Sequence, residues 1–152
     1  MYKIKPLEQE NIIFICSLMS EPNNISALHT DTIPLDEWQK SFAEAEDDKD
    51  DKDEENFIVY NKNIQFGWLK LNGLKSNDIA WISMLVVPEK FKRQGIGKFA
   101  VEFAAQYLKH RGYRYIKLQT TTDNSAALSL YSKCGFTIVN QSTTKITICK
   151  EV

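Results

Sequence analysis

The sequence predicts an α/β fold: a mixed, mostly antiparallel, seven-stranded sheet with helices on both faces. Three observations predict it. Between Asn56 and Val87, three runs rich in β-branched and aromatic residues follow one another across short polar turns, the pattern of antiparallel hairpins. After Pro88 the apolar period becomes helical, and a strand then a helix follow, which makes a β-α-β unit and so a parallel step. The chain has 152 residues, 43% of them hydrophobic and 11% aromatic, which suits a single domain with one substantial core.

Each element has its own local reason. "YKIKPL" alternates and reads as a strand ended by Pro6. Glu8 to Glu21 places Ile12, Ile15, Cys16 and Met19 at helical spacing, and one helix is expected there. Pro34 to Ala45 has a proline near the first turn, early acids Asp36 and Glu37, and Leu35, Trp38 and Phe42 on one face, so a second helix is expected. "NFIVYN", "IQFGWLKL" and "IAWISMLVV" are the central strands. From Ile96 the stripe Ile96, Phe99, Ala100, Phe103, Tyr107 and Leu108 marks a helix stopped at Gly112. "YRYIKLQT" is a strand, and "DNSAALSLYSKCG" a short helix with an Asp/Asn start and a Gly135 stop. "FTIVNQ" and "KITICK" complete the order βααβββαβαββ.

Charge is unevenly distributed. The net charge is −1, yet residues 44–55, "EAEDDKDDKDEE", hold nine acids against two lysines. Residues 88–117 hold eight Lys or Arg against Glu89 and Glu102. A compact basic segment in a mildly acidic chain suits a small polyanion and argues against a nucleic-acid partner, which favours a basic whole domain. The three cysteines, Cys16, Cys134 and Cys149, are scattered, with no Cys/His cluster, so neither a disulfide framework nor a metal site is expected. The apolar run "IIFIC" is too short to span a bilayer or to form a signal core, and a cytoplasmic protein without membrane attachment is expected. The acidic run reads first as a solvated loop. A second reading is a negative rim that concentrates a cationic amine.

The most basic part of the chain contains "VVPEKFKRQGIGKFA", Val86 to Ala100. A helix start presents unpaired N–H groups and partial positive charge, so a phosphate placed there satisfies both. Gly95 and Gly97 let oxygens approach the backbone, and Lys92, Arg93 and Lys98 add counter-charge. A P-loop would need glycine where Lys92 stands. The dinucleotide fingerprint does match through Gly95, Gly97 and Ala100. That motif follows its strand directly, however, and here seven residues intervene before Gly95.

The stretch Lys92-Arg93-Gln94-Gly95-Ile96-Gly97 resembles the Q/R-x-x-G-x-G/A signature of the GNAT superfamily of acetyl-CoA-dependent N-acetyltransferases, with Lys in the first position. "NSAALSLYSKCGF", Asn124 to Phe136, is similar to that family's N-x-x-A-x-x-x-Y-x-x-x-G-F segment. The resemblance implies a GNAT-like fold over residues 1–152 and acetyl-CoA as co-substrate. It places Lys92, Arg93, Gln94, Gly95, Ile96, Gly97 and Lys98 about the diphosphate. It also implies that the end of the strand "WISMLVV" splays from "YIKLQT", so that the pantetheine arm meets backbone groups near Leu85, Val86 and Val87, with Asn124 and Ala127 beside it. Tyr131 would present its hydroxyl to the thioester sulfur, a suitable role for a phenol with an ordinary pKa of about 10. Asn124 as a plain helix cap and Tyr131 as a core aromatic are the simpler readings of the same residues.

The resemblance implies transfer to a primary amine of a small molecule or peptide within a ternary complex. No metal is implied, and a homodimer is possible in this family. No general base is evident: the strand position where several members carry a carboxylate holds Trp81, and His29 stands alone in a polar segment. A non-catalytic CoA-binding module therefore remains the alternative. Trp38, Trp68 and Trp81 read as core aromatics, or else as the lining of an acceptor pocket.

Overall fold

The computed structural model describes residues 1–47, 53–75 and 78–152. Its strands are β1 (Lys3–Pro6), β2 (Glu55–Asn61), β3 (Ile64–Asn72), β4 (Ile79–Val86), β5 (Tyr115–Thr121), β6 (Thr137–Gln141) and β7 (Lys145–Glu151). They form one seven-stranded sheet in the order β1-β2-β3-β4-β5-β7-β6. Every neighbouring pair is antiparallel except β4 with β5. That parallel step is made by the helix α4 (Ile96–His110), which carries the chain from one strand to the other.

The remaining helices are α1 (Ile12–Leu18), α2 (Pro22–Leu28), α3 (Leu35–Asp47) and α5 (Ser125–Lys133). Strand alternation sorts the side chains to two faces. On one face Leu69, Leu71, Ala80, Ile82, Ile116 and Leu118 pack against Val101, Ala104 and Leu108 of α4 and Tyr131 of α5. On the other, Ile58, Trp68 and Val86 pack against Ile12, Ile15 and Leu18 of α1 and Phe42 of α3. Each fully buried aliphatic or aromatic side chain of this kind stabilises by about 1.5–3 kcal/mol.

Two departures from expectation matter for the site. The single helix expected over Glu8–Glu21 is a 3-10 turn at Gln9–Asn11 followed by the short α1, and an unexpected helix, α2, begins at Pro22. Proline cannot continue a helix but fits its first turn, so it restarts the chain in a new direction. Second, β4 pairs with β5 only through Ile79, Ala80 and Trp81, opposite Tyr115, Ile116 and Lys117. From Ile82 onward β4 keeps its β3 partner and has none in β5. The β3 register slips between Lys70 and Leu71, which leaves Ser83 as an extra residue in β4, and such a bulge bends its strand.

Trp68 is a buried core residue, and Phe42 and the half-buried Trp38 pack on it. Trp81 packs on Gly73, where an added Cβ would lie 2.9 Å from the indole Cδ1. The centre of the acidic run, residues 48–52, lies outside the described residues. At its end, Glu54 pairs with Lys70 at 3.4 Å and Glu55 with Arg111 at 2.6 Å.

Candidate active site

The divergence of β4 from β5 opens a cleft of about 750 Å³. Its floor is the end of β4, Leu85 and Val86, with Val87 just beyond it. One wall is the turn and helix start Lys92, Arg93, Gly95, Ile96, Gly97 and Lys98. A second wall is α5, with Asn124, Ala127, Leu130 and Tyr131. The third is α2, with Asn23, Asn24, Ala27 and Leu28. The size is ordinary for a small-molecule site.

The local chemistry of each wall follows from the sequence. Between β4 and α4, Pro88 starts a 3-10 turn at Glu89–Phe91, and Lys92 is extended. Arg93 and Gly95 then take left-handed backbone, φ 64° and 84°. Gly95 is the N-cap of α4, and no side chain caps that helix, so its first-turn N–H groups are left to the cleft. Gly97 faces Leu130 of α5: an added Cβ would come within 2.9 Å of Leu130 Cδ2. Lys92 is already engaged by Glu89 at 2.9 Å, and this contact, then Asn23, holds the Glu89 carboxyl below the usual carboxylate range. Arg93 and Lys98 are exposed beside the helix start.

Asn124 is a cap in fact: its Oδ1 accepts from Ala127 N–H at 3.2 Å, and the residue also lines the cleft. Tyr131 is buried, with its ring edge-on to Phe136. Burial, and secondarily Cys134, pushes its phenol far above the ordinary tyrosine range, so it stays neutral. Among the described residues its hydroxyl has no hydrogen-bond partner. Of the residues expected about the donor, only Gln94 does not line the cleft. Its carbonyl accepts from Tyr2 O–H at 3.0 Å, and its amide reaches Lys90 O at 3.5 Å.

Residues 22–136 match the sequence profile of the "Acetyltransferase (GNAT) family". The chain belongs to that family. Its reaction is N-acetyl transfer from acetyl-CoA, and it is an enzyme of that class. The streptothricin acetyltransferase of Escherichia coli is 27% identical over 132 residues, which span 87% of this chain and 74% of the relative. The fold agrees with that of Vibrio cholerae spermidine N-acetyltransferase, solved with CoA and spermine, at a TM-score of 0.85 and 18% identity, covering 99% of this chain and 95% of the other. It also agrees with PaiA N-acetyltransferase of Thermoplasma acidophilum, solved with coenzyme A, at a TM-score of 0.81 and 17% identity over 100% and 99% of the two chains.

The wall that sequence reasoning missed in this GNAT chain is α2. It is tied to the donor side at its start: Asn24, buried, donates through Nδ2 to Leu18 O at 3.1 Å and to Val87 O at 3.5 Å, while Glu21 Oε1 accepts from Glu89 N–H at 2.8 Å. The available signal was Pro22 after a polar turn, a helix start that cannot belong to the helix before it. Among the described residues no helix is long and apolar enough to cross a membrane, and no three His, Cys, Asp or Glu side chains converge as a metal site.

Proposed function

We propose that this chain moves the acetyl group of acetyl-CoA to a primary amine of a small molecule or peptide by direct transfer within a ternary complex. The observation that carries the reading is the pairing, in one cleft, of an uncapped helix start with a neutral, unpartnered phenol. The helix start supplies N–H groups and partial positive charge suited to a diphosphate, with Gly95 and Gly97 keeping side chains out of the way. Leu85 and Val86 offer a strand edge with no β5 partner, continued by Val87, which suits an amide-bearing arm. Asn124 and Ala127 would stand beside that arm.

The bound co-substrate supplies an activated acyl carbon and a thiolate leaving group. Tyr131, on the cleft wall, would donate its proton, or a hydrogen bond, to the departing sulfur. No cysteine lines the cleft, which supports direct attack rather than an acetyl-cysteine relay. The walls draw residues from Asn23 to Lys133, which supports one N-acetyltransferase domain across residues 1–152. The streptothricin-modifying relative and the spermine-bound neighbour support a cationic small-molecule amine as acceptor. A mass-spectrometric screen of polyamines, aminoglycoside-like antibiotics and peptides tests the reading. Gain of one acetyl group, with intersecting initial-rate lines, is expected. Thiol release that does not require an amine would overturn it.

A further inference from the structure

We propose that His29, oriented by Asp123, takes the proton from the incoming ammonium group and so delivers the neutral amine to the cleft. This rests on the transfer reading above and names the base that the sequence left unassigned.

The geometry begins with α2. His29 is its C-cap, in left-handed backbone at φ 52° and ψ 45°, directly after Leu28 of the cleft wall. Asp123 directly precedes Asn124 of the opposite wall. Neither residue is in the cleft lining itself; 94 positions apart in sequence, they meet beside Leu28 and Asn124, which are, with His29 Nε2 3.4 Å from Asp123 Oδ1 and 3.4 Å from Oδ2. Non-glycine residues take this backbone uncommonly, and it turns the chain out of α2 just where the imidazole reaches its partner.

The carboxylate is itself held. Thr121 O–H donates to Asp123 Oδ1 at 2.5 Å, and this bond, then His29, keeps the Asp123 carboxyl below its ordinary range. An ionised carboxylate only accepts, so in the neutral imidazole the Nε2 it faces is the protonated nitrogen and Nδ1 is the one with a free lone pair. A base oriented through its far nitrogen is the arrangement general-base catalysis uses. The imidazole is 54% exposed, so a proton gained can pass to water.

Other candidates beside the cleft are engaged. Glu21 accepts from Glu89 N–H and from Asn24 Nδ2. Glu89 is held by Lys92. Tyr131 is kept neutral by burial. His110 lies at the far end of α4 against Gln106 O. The charged groups about His29 are Asp123 and, two residues on, Asp31. Lys145 faces Thr121 from β7, and Glu21, Glu89, Lys92 and Arg93 lie at the other end of the cleft.

The step balances. Nδ1 accepts one proton from R–NH3+, and the freed nitrogen pair forms the N–C bond to the acyl carbon. The C–S bond breaks, Tyr131 passes its proton to sulfur and regains the second N–H proton, and the imidazolium releases its proton to water. The net change is R–NH3+ plus acetyl-CoA giving R–NH–acetyl, CoA–SH and one H+.

The test compares wild type with His29→Gln, which keeps a donor for Asp123 but cannot take a proton. His29→Asn, better suited to left-handed backbone, controls for strain. The acceptor is spermidine, or whichever amine in the screen the wild type turns over fastest, and kcat/KM is followed against pH. Both variants should lose about 100-fold near neutrality. The deficit should shrink by about tenfold for each pH unit approaching the acceptor's own pKa, because free amine no longer needs a base. Coenzyme A affinity should not change. A deficit constant with pH, a loss confined to coenzyme A affinity, or undiminished turnover overturns the role of His29 alone. A wild type that turns over no amine overturns the transfer reading as well.

Discussion

Replacing Tyr131 by phenylalanine removes one oxygen from a side chain that is 6% exposed. A buried tyrosine hydroxyl in a hydrogen bond would ordinarily contribute about 0.5–1.5 kcal/mol to stability. Here no described residue bonds it, and the ring keeps its contact with Phe136 at 5.3 Å between centroids. Folding stability should therefore hold within about 0.5 kcal/mol. At this chain length that is a shift of about 1–2 °C in Tm. Turnover should behave differently. A positioned acid contributes about 10²- to 10⁴-fold to rate, or about 2.7–5.4 kcal/mol at 1.36 kcal/mol per decade. Stopped thiol release for kcat, titration calorimetry for coenzyme A and scanning calorimetry for Tm would be run on the same preparation. The expected result is a kcat lowered by at least about 100-fold with the other two unmoved. A kcat within about twofold of wild type refutes the assignment of Tyr131 as proton donor. A large drop in Tm refutes the premise that its hydroxyl is unpartnered.

Gly97→Glu should weaken coenzyme A binding at least tenfold, about 1.4 kcal/mol, because its Cβ meets Leu130 and its carboxylate opposes a diphosphate; calorimetry showing unchanged affinity would contradict this. Gly95→Ala meets no atom within 4 Å but must hold φ 84°, so it should cost about 1–2 kcal/mol in denaturant melts while changing donor affinity less than Gly97→Glu does. Asn24→Ala removes a buried amide from Leu18 O and should cost about 1–3 kcal/mol, read as a lowered Tm. Alkaline pH should destabilise the chain through Tyr131. Its folded phenol stays protonated where the unfolded one ionises near pH 10, so its contribution is whole below that pH and falls by up to about 1.4 kcal/mol per unit above it. Urea melts on either side of that pH check the sign, and Tyr131→Phe should lack this component.

The strands and the two motifs, residues 92–97 and 124–136, were legible because their signals are local. The stripe from Ile96 to Leu108 and the stops at Gly112 and Gly135 depend only on helical period and on left-handed backbone, and both glycines adopt it, at φ 90° and 91°. Asn124 shows that the cap reading and the cleft reading coexist: one oxygen fixes the helix start while the residue lines the wall. Less legible was anything set by a partner distant in sequence. The helix α2 is seven residues long, too short for periodicity to declare, and it is secured by Asn24 to Leu18 O and Val87 O rather than by propensity. His29 stands alone in the sequence because its neighbour in space, Asp123, is 94 residues on.

The cleft itself follows from an accounting of main-chain bonds. A strand inside a sheet normally has both edges paired, and an open edge is a liability. β4 breaks that rule at Ile82: its β3 edge continues, with Ser83 bulged out, while its β5 edge ends at Trp81. β5 does not follow, because it is held along its whole length by β7, from Tyr115 opposite Glu151 to Thr121 opposite Lys145. The two strands must then part, and the polar groups exposed between them need a partner or water, at about 1–3 kcal/mol for each one buried unpaired. A ligand bearing amides relieves that cost in the same place where α4 offers its uncapped start and α5 offers Tyr131. Restoring the missing ladder would stabilise the sheet and close the cleft, so the proposed binding role and the local weakness of the sheet are one feature.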